Sequence, residues 1–355
     1  MNEQLKMIAD LSDAFGAPGF EDEVIEKCRG YAAGLGDIRE DHMRNLYIHR
    51  AGNTGDRPVV QLDGHSDEVA FMVQAIKPNG MLRFVNLGGW VPSNVAAHRV
   101  WVLNDAGKWL PGIIASKPPH FMSDAEKKAP PALEHMVIDL GVTCREETEA
   151  LGISIGAPVV PDVTFEYWED LGLLQGKAFD NRLGCCAVIE ALRRLKDEDL
   201  AVDVVGTISA QEEVGTRGAQ VTAQVVEPDV AIVFEGCPAD DTFTEGYMIQ
   251  TALKKGPMLR HVDKRMITNP RFQKLALQTA REKGIPAQTA VRTGGSTNAA
   301  PIHLAEKAVP CIVMGIPVRY AHTHYCLSAL SDFEHSVQLA VELVKKLNQE
   351  VIAGL

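Results

Sequence analysis

The sequence has no run of basic residues, and a formal net charge of −12 over 355 residues has the wrong sign for non-specific nucleic-acid binding. No uninterrupted apolar stretch is long enough to cross a bilayer, so no membrane partner is expected. Cys-x-x-Cys pairs are missing, which removes the signal for a structural zinc knuckle. The seven cysteines are an odd number, and Cys185 and Cys186 are adjacent. That usage speaks against a secreted disulfide framework and fits a reducing, cytoplasmic setting. The opening segment Met1–Lys6 lacks the basic-then-apolar order of a secretory leader. Gly-x-Ser-x-Gly, the P-loop and Gly-x-Gly-x-x-Gly are absent, which removes serine-hydrolase and nucleotide-binding readings. There is no internal repeat and no low-complexity tract.

What is present is an alternation of strands and helices, interrupted once. Leu5 to Phe15 and Glu21 to Ala33 carry apolar residues at helical spacing. Asn45–Ile48 and Pro58–Leu62 read as strands. From Phe71 to Glu166 short β-like runs dominate, punctuated by Gly and Pro, as expected of a small barrel or sandwich. Helices return at Arg182–Leu195, Pro270–Lys283 and Phe333–Val351. Between them lie the short apolar strands Val202–Ser209, Val230–Phe234 and Cys311–Met314. The pattern predicts an α/β domain built from residues 1–70 and 167–355, with a β-rich domain, 71–166, inserted into it.

Ligands of open α/β sheets collect beyond the carboxyl ends of the strands. Ligand-type side chains sit at those ends here. His65 and Asp67 follow one apolar run, Glu212 and Glu213 follow another, and Glu235 closes a third. His322 lies past the fourth, with His324 as a competitor. Asp180 stands at the start of the long helix. Each has a plainer reading: His-x-Asp as a surface turn, Asp180 as a helix cap, Glu235 and the histidines as solvated loop residues. Their conjunction at the strand ends points instead to a metal-dependent hydrolase. Leu87-Gly-Gly-Trp90 reads as a β-turn of the inserted domain. Trp90, Trp101, Trp109 and Trp168 read as core or interface anchors.

The ordered set His65-x-Asp67, Asp180-Asn-Arg182, Glu212-Glu-Val-Gly215, Glu235 and Arg319-Tyr-x-His322 resembles the M42 family of metallo-aminopeptidases, some of them once described as endoglucanases. Ala17-Pro-Gly-Phe-Glu21, Lys117-Pro-Pro-His120, Ile138-Asp-Leu-Gly141, Gly156-Ala-Pro-Val159 and Thr293-Gly-Gly-Ser-Thr-Asn298 extend the resemblance along nearly the whole chain.

The resemblance implies a three-layer α/β catalytic domain with an inserted β-barrel that helps subunits assemble, usually into a dodecamer. It also implies two divalent metals per subunit. His65 and Glu235 would hold one, Glu213 and His322 the other, with Asp180 bridging and Asp67 orienting His65. Glu212 would be the general base acting on a metal-bridging hydroxide, and the substrates would be peptides cut at the N-terminus. Mixed histidine and carboxylate ligands suit zinc, with cobalt or manganese as alternatives. The chain departs from the family pattern twice. Glu235 stands where most members carry Asp, and Ser296-Thr-Asn298-Ala replaces the usual Gly-Thr-Asp-Ala, which removes a charge from the expected active-site wall.

Rival readings keep the metals and change the substrate, to an amidohydrolase, a deacylase or a carboxypeptidase, or discard catalysis for an inactive metal-stabilised scaffold. A glycosidase needs two carboxylates flanking a sugar, which the adjacent Glu212 and Glu213 suit poorly.

Overall fold

The computed structural model describes residues 2–305 and 308–355. In chain order its strands are β1 (Gly36–Glu40), β2 (Leu46–Arg50), β3 (Val59–His65), β4 (Ala70–Ile76), β5 (Leu82–Leu87), β6 (Arg99–Leu103), β7 (Trp109–Ala115), β8 (Val137–Asp139) and β9 (Pro158–Pro161). Then follow β10 (Glu166–Trp168), β11 (Leu173–Gly176), β12 (Asp203–Ser209), β13 (Val230–Pro238), β14 (Met258–Val262), β15 (Gln288–Val291), β16 (Cys311–Arg319) and β17 (Cys326–Ala329).

Eleven strands form one sheet with the main path β1-β2-β12-β3-β13-β16-β17-β11-β10, and β14 and β15 branch from β16. Its centre, β12-β3-β13-β16, is parallel. Those strands are buried on both faces, which explains their near-continuous apolar sequence. Side chains alternate between two apolar layers. Val230, Ile232 and Phe234 of β13 pack with the helices Glu3–Asp13, Phe179–Leu195 and Leu330–Lys346. Ala231 and Val233 pack beside the helices Arg217–Val226 and Ala299–Ile302. The result is the three-layer α/β arrangement the resemblance implied.

The remaining strands close into a barrel, β4-β5-β8-β7-β6-β9, entered directly after β3. Phe71, Val73, Phe84, Val100, Ile114 and Val159 fill it. Phe15, from the N-terminal segment, packs its ring against Trp109 and Trp101, with centroids 4.7 and 6.0 Å apart, and so ties the barrel to the sheet.

Several elements differ from the sequence-based expectation. β13 and β16 run on past Phe234 and Met314, so Glu235 lies within a strand rather than after one, and His65 is the last residue of β3. Strands such as β11, β14 and β17, and the helix Arg217–Val226, carry weak local signals and are placed by the sheet they complete.

Candidate active site

The parallel strands deliver their carboxyl ends to one edge, and the candidate residues meet there. His65 is fully buried at the end of β3. Its Nε2 lies 3.2 Å from Asp180 Oδ1 and 3.9 Å from Glu212 Oε2. Its Nδ1 lies 3.1 Å from the Asp67 carbonyl oxygen and 3.4 Å from the Asp67 carboxylate. His322 approaches from the loop after β16, with Nε2 3.4 Å from Asp180 Oδ2 and 3.3 Å from Glu213 Oε1. The two oxygens of Asp180 therefore face two different histidines. Glu235 completes the His65 side: ligand atoms of His65, Asp180 and Glu235 lie within 4.8 Å of one another, as do those of Asp180, Glu213 and His322.

Local backbone choices aim these groups. Asp180 and Asn181 have non-helical torsions (φ −88°, ψ 100°; φ −128°, ψ 40°), so Asp180 is not a regular helical cap. Gly236 lets this segment approach β13, since a Cβ there would lie 2.6 Å from the Asp180 Cα. Asn181 donates to Glu235 Oε2 at 3.2 Å and to the Phe234 carbonyl at 2.8 Å, fixing that carboxylate. His322 is held in the left-handed region at φ 61°, and so is Gln211 at φ 55°, immediately before the glutamate pair.

Electrostatics follow from packing four carboxylates with two imidazoles away from water. Burial pushes Glu212 up to about 8, and burial also raises Glu213 and Glu235. Burial opposes charge on both histidines, yet the carboxylates outweigh it. Asp180 and Asp67 hold His65 well above its ordinary value, and Glu213 and Asp180 push His322 up to about 11. Those two rings in turn hold Asp180 low against the opposing effect of burial.

The donor set fits divalent cations. Among the described residues, Glu213 Oε1 is buried and receives no hydrogen bond, although it faces the cluster. Histidine nitrogens and carboxylate oxygens are also ligands that borderline metals accept. A cavity of about 650 Å³ lies elsewhere, on the barrel. The cleft over this cluster measures about 400 Å³ and is also lined by Arg260, Arg292 and the Thr293–Ser296 loop. Asp263 and Asp240 pair with the two arginines at 3.0 and 2.9 Å.

Two readings change. Gly88 and Gly89 are more than a turn of the barrel, because they form a wall against the cluster. A Cβ at Gly88 would sit 3.1 Å from Glu213 Oε2, and one at Gly89 3.1 Å from His322 Nδ1. Asn298 does not line the cleft. It is buried beneath the sheet and donates to Asp63 Oδ2 at 2.7 Å. Asp63 also accepts from Ser209 and Thr207, and burial raises its pKa. An aspartate at 298 would face a second buried carboxylate, whereas the amide supplies a donor.

The family model for M42 glutamyl aminopeptidase matches residues 45–339. The glutamyl aminopeptidase of Lactococcus lactis subsp. cremoris is 30% identical over 355 residues, covering 99% of each chain. A TET aminopeptidase from the marine sediment archaeon Thaumarchaeota archaeon SCGC AB-539-E09 superposes with a TM-score of 0.96 at 37% identity, over 99% of this chain and 98% of that one. The Pyrococcus horikoshii TET1 peptidase, which can assemble into a tetrahedron or a large octahedral shell, gives 0.86 at 26% identity over 97% and 100%. A match over most of the length, together with a full-length relative of this similarity, means that the chain belongs to the M42 family of aminopeptidases.

Proposed function

We propose that this chain is an aminopeptidase that removes the N-terminal residue of peptides with two divalent cations and with Glu212 as general base. The observation that carries the reading is the position of Asp180, whose oxygens face His65 on one side and His322 with Glu213 on the other. His65 and Glu235 would hold one cation and Glu213 and His322 the second, with Asp180 shared. When bound, such ions polarise the scissile carbonyl and acidify water.

The chain's own groups do the rest. Among the described residues Glu212 stands beside His65, its Oε2 3.9 Å from Nε2, and burial gives it a raised proton affinity. It takes a proton from the attacking water and returns it to the departing amine. Asp67 holds the backbone on which Glu212 is mounted, accepting its N–H at 2.8 Å. The carboxylates at the cleft floor favour a free, protonated α-amine over an acylated one, which makes the activity exopeptidic. Zinc is the favoured cation, with cobalt or manganese able to serve. Residues 1–70 and 167–355 form the catalytic unit in this reading, and 71–166 the insert. The assembling archaeal relative supports a homo-oligomer for this chain too.

The test is Glu212→Gln, assayed on aminoacyl-p-nitroanilides and their N-acetylated counterparts, with cations per chain counted. The expected result is unchanged cation content, turnover lower by about 100-fold or more, and wild-type activity confined to the free amines. Normal turnover in the variant removes the assigned base, and a preference for acylated substrates removes the aminopeptidase.

A further inference from the structure

The segment Ala17-Pro-Gly-Phe-Glu21 precedes the region matched by the family model and takes no part in the chemistry proposed above. Its glutamate is nonetheless completely buried. Glu21 occupies the N-cap position of the helix Asp22–Tyr31, yet its side chain makes no capping hydrogen bond. Instead Oε1 accepts the backbone N–H of Gln211, 190 residues along the chain, at 3.1 Å. Its other oxygen, also buried, has no hydrogen-bond partner among the described residues. A carboxylate desolvated in this way costs stability, so its placement calls for another explanation.

The backbone it reaches supplies one. After β12, four consecutive N–H groups leave the sheet, and each is taken by a side-chain oxygen from a distant segment. Ala210 donates to Asn45 at 2.8 Å and Gln211 to Glu21 at 3.1 Å. Glu212 donates to Asp67 Oδ1 at 2.8 Å and Glu213 to Asp67 Oδ2 at 3.0 Å. Gln211 is the residue in the left-handed region, a conformation that costs a non-glycine residue energy unless its surroundings enforce it. The Gln211 carbonyl also accepts the Arg217 N–H at 3.2 Å, so the Glu21 contact is what holds the N–H side of this left-handed residue immediately before Glu212.

From this geometry we infer that Glu21 is a positioning residue for the general base, fixing the Gln211 turn through a single hydrogen bond to its N–H. The inference rests on the role proposed for Glu212.

Three variants test it at saturating cation: Glu21→Ala, Glu21→Gln and, as reference, Glu212→Gln. Glu21→Ala lowers kcat about 10- to 100-fold with KM nearly unchanged, the loss expected for a reacting group displaced by about 1 Å. Cation content stays at the wild-type level. Amide exchange measured by mass spectrometry speeds up in the peptide spanning residues 208–216 and not in β16. Glu21→Gln keeps an oxygen for Gln211 and restores most of the rate.

Wild-type kcat in folded Glu21→Ala, or unchanged exchange at 208–216, overturns the inference. So does a Glu21→Gln enzyme as slow as the alanine variant. Should the alanine variant not fold, Glu21→Asp replaces it. That side chain keeps the charge but is one methylene too short, so a slowed enzyme is expected and an undiminished rate overturns the claim. An active Glu212→Gln enzyme removes the base itself, whereas an inactive one beside a normal Glu21→Ala removes only the role of Glu21.

Discussion

The carboxylate of Asp67 accepts the backbone N–H of Glu212 at 2.8 Å, and its second oxygen accepts that of Glu213 at 3.0 Å. The sequence reading gave Asp67 the task of orienting His65. In the structure the Asp67 carbonyl oxygen, at 3.1 Å, is the nearer partner of His65 Nδ1, and the side chain is spent mainly on the glutamate pair. Asp67→Asn leaves one oxygen for two donors and turns an NH₂ group toward an N–H. A hydrogen bond to a charged group contributes about 1.5–3 kcal/mol, so kcat/KM should fall about 10- to 100-fold with the fold intact. Steady-state assays at saturating cation check this, and a rate close to that of the wild type would contradict it.

Gly89→Ala brings a methyl group to 3.1 Å from His322 Nδ1. That is tighter than normal packing, so the ring must shift from Asp180 and Glu213. If His322 and His65 hold separate cations as proposed, the one at His322 should bind about 10-fold more weakly, while the one at His65 is spared. Titration of the metal-depleted protein, followed by counting cations per chain, should show one site emptied before the other. Equal weakening of both sites would mean that the wall touches more than His322.

His324 lies against the barrel, stacked on His98 with ring centroids 4.0 Å apart, and is 1% exposed. Neither of its ring nitrogens has a hydrogen-bond partner among the described residues. Burial, with His98 alongside, pushes its pKa down to about 3. The unfolded chain therefore binds a proton near pH 6.5 that the folded chain refuses, and stability falls as the pH drops below that value. At pH 5 the loss from this residue is about 2 kcal/mol relative to pH 7. His324→Phe keeps the ring stack and removes the titration. Urea melts at pH 7 and pH 5 should show the wild type losing about 2 kcal/mol more than the variant. Parallel losses would count against a neutral buried His324.

In the proposed site, cations and protons would compete for the same oxygens and ring nitrogens. Adding zinc, cobalt or manganese to metal-depleted protein should raise Tm, since a ligand bound only by the native state stabilises it by mass action. The rise should shrink as the pH falls from 8 toward 6, because His65 and His322 must lose protons to bind. Thermal melts across that range check the sign. A rise that grows on acidification would exclude these histidines as ligands.

The sheet's centre was legible because β12, β13 and β16 are short apolar runs buried on both faces, and such runs announce themselves without a partner. The same logic singled out His65, at the end of the apolar run of β3, and Glu212 and Glu213, just past β12. The edge strands were harder. β11 has only four residues, half of them fully buried, and its identity depends on pairing with β17, itself four residues long. The helix Arg217–Val226 begins after a left-handed Thr216 with no side-chain cap, so the usual start signal is missing. The wall formed by Gly88 and Gly89 and the burial of Asn298 were not legible for one reason. Their neighbours, Glu213, His322 and Asp63, lie far along the chain, and no local pattern encodes that proximity.

The groups that converge on Asp180 are drawn from β3, the loop after β12, β13 and the loop beyond β16, the last of them at His322. In the proposed site His322 is the last ligand to be synthesised, so no two-cation centre could form before residue 322 has been added to the growing chain. Up to that point the chain would carry only separate parts of the centre, contributed by segments far apart in sequence.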